Sequence, residues 1–520
     1  MKHWLASVCV LVIVSSSAGP VLGATDHFLT IGGGGSPRNN QLSLERNVVY
    51  FRKTLADCGL AGAPHAVYFA CGNEKLRDLQ VSDPNVTPPR ANVLLARLWD
   101  REDDLYNTYR PHDLPEVKGP ANRASIAEWF RTTGARLADG DRLFVYFTGH
   151  GGSGQRGQPR NTTMDLWFDG GMTVKEFTAH LDKVNPKAQV VLIMVQCHSG
   201  GFADVIFPAA AAGPNLADAT RCGFFATWHD RLAAGCTPDT QEENYQDYTT
   251  FFFAALAGRT RTGQAVDRPD YDGDGRTSLA EAHAYVQLTS DRIDIPVCTG
   301  DVLLRQFGKT KDAKLPGLVT PSAKFDELLK LASADRRAVL EGLSEHLGLT
   351  GDDRAAAARK LADELDRQRK ALEPQRPGRQ ATTAPGGGGG GAGGGGRRGE
   401  QEQLRNQIRS RVLARWPEIS NGYHPAAVAA ITSEADQIVK VIESHPAFAR
   451  WDKLVNDAGD RVEKSFELER KWVKCQRFLY VAESVALEAN LEKVASKLIV
   501  AKYQALRAAE SGHLGRSSAR

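Results

Sequence analysis

What the sequence lacks narrows its function before any motif is read. Beyond the N-terminus, no stretch is apolar for long enough to span a bilayer, so no membrane span is expected. Charge of one sign is also missing. The 65 Lys and Arg against 62 Asp and Glu leave a formal net charge of +3, too near zero to imply nucleic acid or acidic lipid as a partner. One glycine string, within 28–35, invites a nucleotide, but it lacks the rest of a phosphate loop. Ser36, Pro37, Arg38, Asn39 and Asn40 intervene before the next helical pattern, and no Gly-Lys-Ser/Thr or Gly-x-Gly-x-x-Gly opens a helix.

Cysteine is scarce, at 8 in 520 residues. Lys2 and His3 precede an apolar stretch at 4–14, and small residues lead to Val21-Leu22-Gly23, whose small final residue permits cleavage before Ala24. Residues 1–23 are therefore expected to be a signal peptide. The mature chain is expected to be secreted or extracytoplasmic, in a periplasm, on a cell surface, or in a vacuole or lysosome according to the host. Cys9 leaves with that leader. Apart from Cys197, the remaining Cys58, Cys71, Cys222, Cys236, Cys298 and Cys475 form an even set for an oxidising compartment. Cys58 with Cys71 and Cys222 with Cys236 are the first local disulfides to test, and free buried thiols are the alternative.

Two apolar runs dominate what is present. Residues 143–154 read LFVYFTGHGGSG and residues 190–202 read VVLIMVQCHSGGF. β-Branched and aromatic residues with almost no polar interruption suit strands buried on both faces of a parallel sheet. Between them, Val174, Phe177, Leu181 and Val184 recur at helical spacing over 173–184, which predicts a crossover joining parallel neighbours. The glycines after each strand allow a sharp turn and close approach of backbone to a ligand. His150 and Cys197 are thereby delivered to one sheet edge. A thiol is a weak nucleophile until a base takes its proton, and an imidazole within reach supplies that base. The backbone N–H groups of Gly151 and Cys197 are the natural donors to an oxyanion. A lone cysteine on an apolar strand is more often a packing residue; the glycine-flanked His150 on the neighbouring strand turns the reading toward catalysis. His198 and Ser199 read as turn residues, since adjacent side chains on an extended chain point to opposite faces.

A hydrophobic strand ending in His-Gly, followed by one ending in Cys-x-Ser-Gly, resembles the caspase-like cysteine peptidases, the group of legumains, metacaspases and gingipains. Cys197-His198-Ser199-Gly200 is closest to the metacaspases, whereas the leader and the downstream aromatic segments look more like the legumain family and its bacterial relatives. The similarity covers roughly 25–308. It implies an α/β fold, a caspase-like mostly parallel sheet with helices on both faces, followed by a C-terminal all-α extension. It also implies a cysteine endopeptidase acting on peptides or proteins, with Cys197 as nucleophile, His150 as general base and acid, a thioester intermediate, and no cofactor in catalysis. In the resembled families the strand after the nucleophile helps wall the pocket for the residue before the scissile bond. Trp228, His229 and Asp230 are thus candidates for substrate binding, with Gln196 beside the thiol. Both families carry an acidic residue two before the cysteine, where Val195 stands here, so their residue preferences do not transfer. Two other outcomes suit the same residues: transfer of the thioester to an amine, as in legumain-like transamidases, and a catalytically dead, calcium-binding extracellular scaffold.

Asp270, Asp272, Asp274, Gly275, Arg276, Ser278 and Glu281 occupy positions 1, 3, 5, 6, 7, 9 and 12 of an EF-hand-type loop. Carboxylates on alternate residues repel one another unless a cation sits among them, and the Arg276 carbonyl and both Glu281 oxygens can complete its shell. A structural Ca2+ is expected. Ser278-x-x-Glu281 is also a capping box for a helix over 279–288, and Pro269 argues against a helix running into the loop, so half an EF-hand is expected.

A strand at 28–35, a helix at 42–55 and a strand at 65–72 open the chain as a βαβ unit. Residues 81–122, rich in Pro, Asp and Arg, read as a long surface excursion, and helices are expected over 125–137 and 248–258. The expected division is 1–23 leader, 24–311 peptidase-like domain, 312–384 helical extension, 385–399 Gly-rich linker and 400–520 C-terminal helical module. In that module, Phe466, Val473, Leu487, Leu491, Val494 and Leu498 suggest a helical hairpin or small bundle. Legumains carry a helical C-terminal prodomain over the active site, so the module is expected either to cover the chain's own site or to bind a partner.

Overall fold

The computed structural model describes residues 24–310, 315–372 and 397–515. The expected leader with Cys9 and most of the expected linker lie outside the described residues. The strands are β1 (Asp26–Gly33), β2 (His65–Phe69), β3 (Leu79–Ser82), β4 (Asn107–Arg110), β5 (Arg142–Gly149), β6 (Thr163–Leu166), β7 (Gly170–Thr173), β8 (Gln189–Met194), β9 (Arg221–Phe225) and β10 (Val297–Cys298). Six of them form one sheet in the order β10-β9-β8-β5-β1-β2, parallel except at β10. The expected α/β class holds.

Successive side chains of these strands alternate between two cores, as the pleat requires. Phe28, Phe144, Tyr146 and Ile193 face one core, covered by α1 (Leu42–Asp57), with α2 (Arg90–Leu98) lying elsewhere. Leu29, Val145, Phe147 and Met194 face the other, covered by α3 (Arg123–Thr132) and α4 (Val174–Leu181). The Thr173/Glu176 capping box starts α4, the crossover expected between the two chemical strands. The β6–β7 hairpin precedes it. Burying each such side chain is worth about 1.5–3 kcal/mol, so this double-sided core dominates the stability of the sheet.

The first face also receives α5 (Tyr248–Ala257), α6 (Leu279–Thr289) and α7 (Thr299–Phe307). Phe252 and Phe253 on α5 are fully buried in it. Beyond come α8 (Phe325–Leu331), α9 (Ala334–His346), α10 (Arg354–Leu372), α11 (Arg397–Arg415), α12 (Pro425–Ser433), α13 (Ala435–Glu443), α14 (Phe448–Val494) and α15 (Lys497–Glu510). The last two do not stand apart from the sheet. Leu487 and Leu491 of α14 and Tyr503 and Leu506 of α15 belong to the same core as Phe28 and Phe144. Glu510, fully buried, accepts from Thr299 Oγ1 at 2.8 Å and from Gly300 N at 2.6 Å. The end of the chain therefore completes the domain that the sequence closes at 311. The expected hairpin or small bundle is in part a single 47-residue helix, α14, which spans from this core to a satellite core.

That satellite core corrects the reading of 81–122 as a surface excursion. Leu94 and Leu98 of α2 pack with Ile408, Val412, Ile438 and Trp451, so the excursion is the platform on which α11 to α13 rest. The expected disulfides are also absent among the described residues, where the seven cysteines are free thiols. Cys222 is enclosed within β9 while Cys236 is exposed, and the Cys58 and Cys71 thiols contact different neighbours, the Leu256 carbonyl and the Asp78 carboxylate.

Candidate active site

Parallel pairing of β5 with β8 sets Phe147 opposite Met194, and Val195 N still donates to Phe147 O at 3.3 Å. His150 and Cys197 follow at equal steps from that pair, so the two backbones reach the carboxyl edge of the sheet side by side. Gly151 is what lets them close. A Cβ there would lie 2.7 Å from Cys197 O and 2.5 Å from Thr163 O, and would run into the Gln196 side chain. Gly200 plays the same part on the far side of the thiol, where a Cβ would meet Thr227 O at 2.6 Å.

The two side chains are not hydrogen-bonded to each other. His150 Nε2 lies 2.9 Å from both Asn39 O and Gln41 Oε1. Both partners accept, so Nε2 carries the hydrogen and Nδ1 keeps the lone pair. Burial pulls the imidazole below its ordinary pKa, more than the Asn39 carbonyl raises it, which keeps it neutral and basic near pH 7. Cys197 Sγ rests against the loop after β9, 3.4 Å from Ala233 N, which donates to it, and 3.9 Å from Ala233 O. Burial raises this thiol, and the Asp294 carboxyl adds to the rise, so it stays protonated at neutral pH. Among the described residues the backbone N–H groups of Gly151 and Cys197 have no acceptor. A protonated thiol, a neutral imidazole and two vacant donors are the parts that addition to a carbonyl requires.

The other expected site residues spread around this point. Gln196 is 1% exposed, and among the described residues neither of its amide atoms has a hydrogen-bond partner, an orphaned polar group beside the thiol. His198 turns the chain at φ 62 and donates from Nδ1 to His229 O at 2.9 Å, while Ser199 opens a short helical turn with its Oγ accepting from Thr227 N at 3.2 Å. Trp228 packs its ring 5.7 Å from Tyr480 on α14, His229 is half-buried, and Asp230 is exposed. This loop and the 287–294 segment are both held by α14. Arg231 pairs with Glu469 at 2.6 Å and lies over the Trp472 ring, and Arg477, 1% exposed, donates to the carbonyls of Gln287, Ser290, Arg292 and Asp294. Sequence reading missed Asn39, Gln41, Asp294 and the α14 contacts, which come from loops and from a helix remote in sequence. The one available hint was Asp294 set between Ile293 and Ile295, the latter fully buried.

The 270–281 loop fits a cation in part. Ligand oxygens of Asp270, Asp272 and Asp274 lie within 4.8 Å of one another, and Gly275, at φ 81, donates its N–H to Asp270 Oδ2 at 3.0 Å. Asp272 Oδ1 accepts from Asp274 N, and the Arg276 side chain turns away to Gly515 O. Glu281 is committed elsewhere. Its Oε2 accepts from Ser278 N and Oγ, and its Oε1 accepts from Tyr271 N and Asp272 N, so the capping box and loop closure are both made.

No family model and no curated protein matches the chain. Among solved structures, protein GSU0716 from Geobacter sulfurreducens is similar with a TM-score of 0.30 and 14% identity, over 53% of this chain and 92% of that one.

Proposed function

We propose that this protein is an extracytoplasmic cysteine endopeptidase that hydrolyses peptide bonds through Cys197 and His150. The observation that carries this reading is the placement at one sheet edge, on adjacent strands, of a half-buried thiol, a neutral imidazole with its Nδ1 lone pair free, and two N–H groups that have no acceptor among the described residues. In the first step Cys197 Sγ adds to the substrate carbonyl carbon while its proton passes to His150 Nδ1. The N–H groups of Gly151 and Cys197 hold the oxyanion, the C–N bond breaks, and the leaving amine takes the proton from His150. Water then attacks the thioester with His150 as base, releasing the acid and restoring the thiol. Ca2+ at Asp270, Asp272 and Asp274, with the Arg276 carbonyl, serves as a structural ion in this reading, and Ser278 and Glu281 act mainly as the cap.

The α14 contacts favour one refinement. In this reading α14, anchored by buried Arg477 and by residues of the sheet core, stays in place beside the site as part of its wall, in preference to a cover that cleavage releases. The test is labelling of the mature protein with a thiol-directed peptide probe, followed by digestion of a peptide library. Labelling that is lost in Cys197→Ala and in His150→Ala, with cleavage products present, supports the enzyme. Absence of both labelling and cleavage in the wild-type protein overturns it.

A further inference from the structure

A second cluster lies at the same sheet edge, three strands away from Cys197, and the peptidase reading makes no use of it. Just past β2, Cys71 Sγ, a carboxylate oxygen of Asp78 and a ring nitrogen of His112 lie within 4.8 Å of one another. Cys71 is 4% exposed and Asp78 is fully buried, whereas His112 is half-exposed and opens the cluster to solvent. The polar contacts are few. Cys71 Sγ is 3.2 Å from Asp78 Oδ2, 3.3 Å from Glu74 O and 4.0 Å from Gly72 O; His112 N donates to Asp78 Oδ1 at 3.1 Å. His112 Nε2 is 2.7 Å from Gly72 O, and its Nδ1 is 3.4 Å from Leu114 N. Among the described residues no basic side chain pairs with Asp78.

The fully buried Asp78 carboxyl is held by the His112 N–H and the Cys71 thiol, with no ion-pair partner in contact among the described residues, so a cation among these groups would offset the cost of burying its charge. Here the groups around it are a thiol and an imidazole, the ligand types that select a soft divalent cation over Ca2+ or Mg2+. We propose that Cys71, Asp78 and His112 bind one thiophilic divalent cation of the Zn2+ class, with solvent supplying a fourth ligand on the His112 side. On binding, the thiol releases its proton to solvent, and one thiolate with one carboxylate then balances the 2+ charge inside the protein.

The site also connects to the loop that holds His150. Asn40 Nδ2 donates to Asp78 O at 3.0 Å, Asn40 Oδ1 accepts from Gly34 N at 3.0 Å, and the adjacent Asn39 offers its carbonyl to His150. A bound ion would therefore brace that loop.

Co2+ is the probe, because a thiolate bound to it gives a near-ultraviolet charge-transfer band independent of any activity. The reduced full chain titrated with Co2+ is expected to show that band saturating at one equivalent, and Zn2+ should displace it. Cys71→Ser should abolish the band, and His112→Ala should weaken binding at least ~10-fold. Asp272→Asn should leave it unchanged. A wild-type protein without the band overturns the proposal whatever the variants do, and so does a band that survives in Cys71→Ser, which would place the thiolate elsewhere.

Discussion

His150 gives its Nε2 hydrogen to Asn39 O and Gln41 Oε1, each at 2.9 Å, and this shared donation decides which ring nitrogen is left to take a proton. Asn39 contributes through its backbone and cannot be removed by substitution, but Gln41 can. Gln41→Leu deletes one of two acceptors and leaves the tautomer in place, so the expected effect is small, about 1 kcal/mol, or about fivefold in the labelling rate of Cys197 by an activity probe. His150→Ala should abolish the rate enhancement. A Gln41→Leu effect as large as that of His150→Ala would mean that Gln41 does more than orient the ring.

Burial moves the two reacting groups in opposite senses, raising Cys197 and lowering His150. The resting pair is thus thiol and imidazole, with no ion pair between them. Alkylation of Cys197 by a small neutral reagent such as iodoacetamide should be slow at pH 7 and climb through the alkaline range above the usual thiol value. A rate already at its plateau below pH 7 would show a thiolate and imidazolium ion pair instead.

How much of this was legible before the fold was known depends on where each residue sits. His150 and Cys197 lie at the ends of uninterrupted apolar runs, and a buried strand that stops at glycine announces its own edge. Asn39 and Gln41 occupy a loop whose path depends on tertiary contacts, and no local pattern marks the carbonyl that meets His150. The stripe on α15 says that Tyr503 and Leu506 are buried, yet periodicity does not say against what; α15 packs on α7 and on β9, and so closes the core of the sheet. In the same way, Leu94 and Leu98 lie in a Pro- and Asp-rich stretch whose composition hides a helix covered by distant residues.

Asp294 offers a test by pH. It is fully buried, its Oδ1 accepts from Ala234 N at 2.6 Å, its Oδ2 has no partner among the described residues, and burial raises it from 3.8 to about 7. A carboxyl whose folded pKa exceeds its unfolded value binds more protons when folded. Its contribution is therefore complete below about pH 4 and is lost as pH rises through about 7. Asp294→Asn should raise Tm clearly at pH 8 and little at pH 5, and should speed Cys197 alkylation at pH 8 by removing a nearby negative charge. An equal change in Tm at both pH values would show that Asp294 does not titrate in this window.

Glu281 and Asp272 separate the two duties of the 270–281 loop. Glu281 closes a capping box with Ser278 and binds two backbone N–H groups of the loop, work that needs no ion. Among the described residues the Asp272 carboxylate accepts only from Asp274 N, and it is exposed beside those of Asp270 and Asp274. Glu281→Ala should accordingly cost about 0.5–2 kcal/mol with or without Ca2+, as loss of a cap does. Asp272→Asn should be nearly neutral in a chelator and destabilising in millimolar Ca2+ relative to the wild-type protein, which alone gains from the ion by mass action. Chemical denaturation of both variants in Ca2+ and in chelator reads this directly. If wild-type stability is the same in both media, the three aspartates are an Asp-rich turn and hold no calcium.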